Sequence, residues 1–380
     1  MTITDSVTDL AAVAARQVRR PDLRDLLGTP FLELETAVVA ERLRAISRTF
    51  PGAAIHYAVN ANPHPDVLAT VVAAGANFAV ASPAEVRAGL AAGAAPDDLI
   101  YTKPVTRRDD IAQAAAMGVR LFVVDTMSAV QKVAETAPGT AVVCRLLTSG
   151  KASGWPLTRR NGCSVSQAVD VLRLAADLGL DPAGISFHVG SNERDPDAWR
   201  LPIVGAATVF ETLGHQGITP WLLDLGGGFS ADHEGHAAPL AAYGAVIEDQ
   251  LSRSFGHHRP RTIVEPGRAV IGSAGALVTT VVGVIRRGDT RWVYLDAGAA
   301  VALVDAEDAY GRHIETSADG GPTGLCILAG SRLEIARRRS PVIPVELPLS
   351  LAEGDVVRLE LAGAYPSRST GSDPLAVVIG

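Results

Sequence analysis

Residues 221–230 read Trp221-Leu222-Leu223-Asp224-Leu225-Gly226-Gly227-Gly228-Phe229-Ser230. A short apolar run that stops at an acid and three glycines reads as a buried strand entering a tight turn. Glycines let the backbone approach an anion and aim N–H groups at it. The segments on either side end in the same way. Residues 185–189 run into Phe187-His188-Val189-Gly190-Ser191, and residues 262–265 into Glu265-Pro266-Gly267-Arg268. Three consecutive strand ends thus carry an imidazole, a hydroxyl, a glycine loop, a carboxylate and a guanidinium. A glycine triplet alone is usually just a turn, and a lone histidine is usually structural. Together they describe a site for a phosphate-bearing aromatic group.

The rhythm around these segments sets the fold. Strand-like runs at 55–59, 77–81, 99–102, 120–125, 141–147, 185–189, 221–225 and 262–265 alternate with Ala/Leu-rich amphipathic stretches. The helices fall at 65–74, 83–92, 107–116, 128–135, 166–178, 203–216 and 241–255, several opening on capping residues or proline. Eight strands with seven helices between them predict a closed parallel (β/α)8 TIM-type barrel over 37–272. An open doubly wound sheet accommodates eight strands less well. After Gly272 short strands separated by turns predict a second, C-terminal β-rich domain over 273–380. The segment 1–36, with a strand near 29–35, is expected to join that domain. The stretch 149–162 reads as a long loop after the fifth strand.

Composition excludes several classes. The 380 residues are 47% hydrophobic and 20% charged, which is globular. With 34 Lys+Arg against 41 Asp+Glu, the net charge of −7 argues against a nucleic-acid binder. No apolar run reaches the roughly 20 residues of a membrane span, and no secretory leader is readable, so a cytoplasmic location is expected. Cys144, Cys163 and Cys326 lack metal-type spacing and suggest no disulfide framework. The run Asp232-His233-Glu234-Gly235-His236 reads as a polar loop rather than a metal site. Lysine is scarce: only Lys103, Lys132 and Lys151 occur, so any lysine chemistry must use one of them.

The order Tyr57-Ala58-Val59-Asn60-Ala61-Asn62, then the His188, Gly226 and Glu265 segments, then Gly363-Ala364-Tyr365, resembles the ornithine/diaminopimelate/arginine decarboxylases. These are pyridoxal phosphate (PLP) enzymes with an alanine racemase-like barrel and a β-rich domain. The resemblance covers about residues 28 to 380. It implies that His188 stacks on the cofactor ring and Glu265 pairs with its nitrogen. It implies that Ser191, Gly227, Gly228, Arg268 and Tyr365 hold the phosphate, with Gly226, Gly267 and Arg145 also at the cofactor. It also implies a homodimer that shares its sites.

Departures from the family pattern carry as much information. The family's Schiff-base lysine position is Asn60, and an amide forms no imine. The aspartate of the second strand is Ala79. The cysteine and aspartate that complete the neighbour's site align with Gly330 and Ser331, leaving Ser331 and Asp296 as candidate substrate contacts. Lys103, at the end of the third strand, is a possible substitute for the missing lysine; a solvated loop lysine is the plainer reading. Three readings follow. One is a decarboxylase-like lyase of altered chemistry, binding PLP or a PLP–amino-acid adduct and acting on an amino acid or amine. Another is a non-catalytic homologue, a regulator or partner subunit. The third is a barrel enzyme that has adopted a different phosphorylated ligand.

Overall fold

The computed structural model describes residues 27–148, 153–155, 161–230, 238–297, 314–330, 344–365 and 375–379. Among them the chain divides into two compact units: residues 39–270, and the described residues up to Val38 together with those from Ile271 onward.

The first unit is a closed barrel of eight parallel strands. In chain order, after β1 (Phe31–Glu35) of the other unit, come β2 (Ala53–Ala58), β3 (Asn77–Val80), β4 (Leu99–Tyr101), β5 (Leu121–Val124) and β6 (Ala141–Leu146). A short β7 (Ser153–Trp155) precedes β8 (Asp181–Phe187), and β9 (Ser191–Glu193) precedes β10 (Leu222–Asp224) and β11 (Arg261–Val264). The barrel closes β10-β11-β2-β3-β4-β5-β6-β8, while β7 and β9 pair antiparallel beside it. Three residues of the stretch read as a loop therefore form strand β7.

Helices follow the strands: α1 (Thr36–Thr49), α2 (Pro65–Ala73), α3 (Pro83–Ala91), α4 (Arg108–Ala116), α5 (Met127–Thr136), α6 (Val165–Asp177), α7 (Arg200–Gly214) and α8 (Leu240–Phe255). Their starts are chemically fixed. Ser82 accepts the Glu85 N–H ahead of α3, and Thr126 accepts the Ala129 N–H ahead of α5. Ser164 and Gln167 form a reciprocal capping box ahead of α6.

The barrel interior is an apolar plug. Ala79, Ile100, Val123, Val143, Ala183, Leu222 and Ile263 supply one side chain from each of seven strands, and Ala54 of β2 packs against them. Side chains alternate across a strand, so residues two positions farther on face the same way. On β5, β6, β10 and β11 those positions are Asp125, Arg145, Asp224 and Glu265. An ionisable layer thus lies directly above the apolar one, at the C-terminal rim.

The second unit is a mainly antiparallel sheet. Its strands are β12 (Gly275–Arg287), β13 (Thr290–Leu295), β14 (Ile314–Thr316), β15 (Thr323–Gly330), β16 (Val345–Pro348), β17 (Val356–Leu359) and β18 (Leu375–Ile379). They run β14-β17-β12-β13-β15-β16. The N-terminal strand joins this sheet: β1 pairs antiparallel with β12 and parallel with β18. No described helix is long and apolar enough to cross a membrane.

Candidate active site

Three rim segments are tied together by backbone bonds that require glycine. The Gly226 N–H donates to Asp224 Oδ1 at 2.8 Å, and the Glu265 N–H donates to the Gly226 carbonyl at 2.8 Å. The Glu193 N–H donates to the Gly228 carbonyl at 2.8 Å. A Cβ on Gly226 would lie 2.0 Å from the Phe187 carbonyl oxygen, and one on Gly227 would lie 2.4 Å from that of Glu265. Gly228, at φ +107°, would place its Cβ 2.2 Å from the Gly190 carbonyl oxygen. Only glycine lets the loop sit this close to its neighbours. Behind it, Phe229 stacks on Trp199 at 4.8 Å, and the Trp199 indole N–H donates to the Leu225 carbonyl at 3.1 Å. The loop is therefore fixed before any ligand arrives.

The electrostatics centre on Asp224, Glu265 and Arg145. The two carboxyl groups are hydrogen-bonded to each other, and Asp224 keeps the shared proton. Burial is the main cause that raises both, Asp224 strongly and Glu265 to about 7. Arg145 opposes the shift and is itself lowered by burial. Oε1 of Glu265 is buried with no hydrogen-bond partner among the described residues. A buried unpaired acceptor costs free energy unless a ligand donor meets it.

His188 accepts the Gly190 N–H on Nδ1 at 3.0 Å, which assigns the proton to Nε2. Its surface is half-buried at the mouth, yet burial and the Arg145 charge lower its pKa to about 3. The ring is thus neutral, as a face that packs on an aromatic ring should be. Thr148 Oγ1 donates to the His188 carbonyl at 2.7 Å and steadies it. Ser191 and Arg268 are half-buried, and Gly267 is buried between Glu265 and Arg268.

The remaining candidates lie on other elements. Asn60 is exposed on the turn Val59–Ala61 that ends β2, while Ala79 is part of the apolar plug. Lys103 is exposed and lines a small hollow with Tyr101, Phe122, Ile111 of α4 and Lys132 and Val133 of α5. That hollow lies among the helices, because Ile100 faces the interior and alternation turns Tyr101 outward. Tyr365 and Asp296 belong to the β-rich unit. Asp296 accepts from Thr29 Oγ1 and Thr279 Oγ1, each at 2.5 Å, and from the Thr280 N–H at 3.0 Å. Those bonds are a structural use for its carboxylate. Ser331, Lys151 and the 232–236 cluster lie outside the described residues.

Sequence reading assigned no role to Asp224 or Asp125. Asp125 accepts the Gly162 N–H at 2.9 Å and adds negative charge beside Arg145. Counting two residues past each plug position would have found both.

The C-terminal rim of the closed parallel barrel thus carries a glycine loop, a neutral imidazole and an acid–arginine cluster. Residues 36–272 match the family model described as pyridoxal-dependent decarboxylase, pyridoxal binding domain, and the chain belongs to that family. It is 35% identical over 275 residues to a lysine/ornithine decarboxylase of Selenomonas ruminantium, covering 72% of this chain and 69% of the relative. It is 31% identical over 246 residues to antizyme inhibitor 2 of Xenopus laevis, covering 64% and 54%. The alignments therefore span roughly half to two thirds of these curated relatives. The fold also superimposes on lysine/ornithine decarboxylase of Vibrio vulnificus complexed with putrescine, at a TM-score of 0.81 and 26% identity, covering 95% of this chain and 97% of that one.

Proposed function

We propose that this chain binds PLP without a covalent lysine link and acts as a decarboxylase-like lyase of altered chemistry on an amino acid or amine. The observation that carries the reading is the Asp224–Glu265–Arg145 cluster with the buried, unpaired Oε1 of Glu265. A protein with no ring nitrogen to meet has no physical reason to keep that acceptor dry. When bound, PLP supplies an electron sink for carbanion chemistry.

The chain's own residues divide the remaining work. Glu265, supported by the proton on Asp224, offers its oxygen to a ring N–H. Neutral His188 offers a face for stacking. Arg268, the Ser191 hydroxyl and the amides of Gly227 and Gly228 provide cation and donors for a phosphate. Asn60 cannot join the cofactor covalently, and exposed Lys103 lies among the helices, so the amino group that engages PLP is that of the substrate. The apolar sheet face bearing Ile285, Trp292, Tyr294 and Leu325 supports a second copy as partner. Ile285 pairs with Trp292, and Leu325 is 64% exposed.

The likeness to antizyme inhibitor 2, together with alanine at position 79, favours a second reading as a non-catalytic partner or regulator. Titration of the full-length chain with PLP, followed by absorbance, tests the first. Saturable binding that weakens at least about tenfold in Arg268→Ala and in Glu265→Gln supports it. Absence of binding in the wild type overturns it and leaves the regulatory reading. Assay of carbon dioxide release from lysine, ornithine, arginine and diaminopimelate then separates turnover from binding alone.

A further inference from the structure

Cys144 and Cys163 stand apart in sequence and meet in the fold. Their sulfurs lie 3.5 Å apart, and both residues are buried. Cys144 sits on β6 between Val143 of the interior plug and Arg145, so alternation turns it outward. Cys163 lies beside the same strand: its N–H donates to the Arg145 carbonyl at 3.0 Å, and its own carbonyl accepts the Leu147 N–H at 2.9 Å. Gly162, just before it, has φ +105° and gives its N–H to Asp125. Ser164, just after it, caps α6. The two thiols thus join the strand that carries Arg145 to the start of the next helix.

The pair is chemically unequal. The Cys144 thiol is fully enclosed and is pushed up by its bond to Cys163 and by burial, whereas the same bond pulls Cys163 down. A lower thiol next to a sheltered one is the arrangement in which the first reacts and the second resolves. Cys326, in the other unit, is raised to about 11 by burial and has no such neighbour among the described residues. It serves as an internal control.

We propose that Cys144 and Cys163 form an oxidation site, closing to a reversible disulfide when a hydroperoxide reaches Cys163. The Cys163 thiolate attacks the peroxide, the O–O bond breaks, and Cys163 becomes a sulfenic acid as water or an alcohol leaves. The Cys144 sulfur then attacks Cys163, an S–S bond forms, the S–O bond breaks, and a second water leaves. Two thiols lose two electrons and the peroxide gains them. The new bond fastens the Gly162–Cys163 segment to β6 beside Arg145. This inference is independent of the PLP reading.

The test treats the full-length chain with hydrogen peroxide, removes the excess, denatures, alkylates with iodoacetamide and maps peptides by mass spectrometry. The expected result is a Cys144–Cys163 cross-linked peptide lighter by two hydrogens. Alkylated cysteines fall from three to one, Cys326, and dithiothreitol restores all three. Cys144→Ser should leave a Cys163 sulfenic acid that dimedone traps, and Cys163→Ser should leave Cys144 alkylated. Retention of alkylation at both residues after peroxide overturns the proposal. So does oxidation of Cys163 with no cross-link, or a cross-link formed only after unfolding in urea. The wild-type result decides the matter even where a variant fails to fold.

Discussion

Two arcs of one barrel mouth differ sharply. On the arc formed by the ends of β6, β8, β10 and β11, the side chains are Arg145, His188, Asp224 and Glu265, joined by hydrogen bonds and mutual charge. On the arc of β2, β3 and β4, Asn60 is exposed at the end of β2 and Ala79 is buried in the plug below, while Lys103 turns toward the helices. One arc carries an electrostatic structure that is expensive to hold without a ligand; on the other, Asn60 and Ala79 bring no charge. On the proposed reading the first arc grips PLP, and substitutions on each arc test that division.

The largest effect is expected at Arg145. Replacing it with Met leaves Asp224 and Glu265 without their cation in a buried layer, an arrangement worth about 3 kcal/mol. Denaturant unfolding should show that loss, with PLP affinity falling in parallel. Next comes Gly228→Ala, whose Cβ meets the Gly190 carbonyl at a positive φ. A loss of about 2–3 kcal/mol is expected from the forced backbone shift, read as a lower unfolding midpoint with an unchanged denaturant slope.

Glu265→Gln has a signed pH dependence. The folded pKa of Glu265 is raised from 4.5 to about 7, so between those values the native state binds more protons than the unfolded one. Its contribution is complete below pH 4.5 and is lost as pH rises through about 7. His188, lowered to about 3, acts oppositely: its contribution is present above 6.5 and lost as pH falls. The difference between wild-type and Glu265→Gln stability removes the histidine contribution. That difference should shift against the wild type from pH 4.5 to 7 and flatten above, as read by unfolding at fixed pH.

Asn60→Lys should have the smallest effect on stability, within about 0.5 kcal/mol, because the site is exposed. It should nevertheless change the chemistry of attachment. Borohydride would then fix PLP to residue 60, as peptide mapping would reveal.

Much of this was legible in the residues. The βα rhythm gave all eight barrel strands within a few residues, because period-2 and period-3.6 patterns are set locally. The glycine loop and its flanking His188 and Glu265 stood out because unusual residue types recur at strand ends. Asp224 was in plain view but unassigned: its partnership with Glu265 depends on the lateral register of β10 and β11, which pairs Asp224 with Ile263. The same holds for Cys144 and Cys163, which spacing alone separates and a backbone bridge beside β6 unites. Lys103 was offered as a substitute because it ends a strand. The orientation of that strand end, fixed by Ile100 in the plug, turns it toward the helices.

The most direct measurement is to saturate the wild-type chain with PLP, reduce with borohydride, unfold, and map every peptide. Binding before reduction with no label on Lys103 or any other lysine is the expected result if, as proposed, the polar arc holds the cofactor. A stoichiometric label on Lys103 would contradict it, showing that the stripped arc still supplies a Schiff-base lysine.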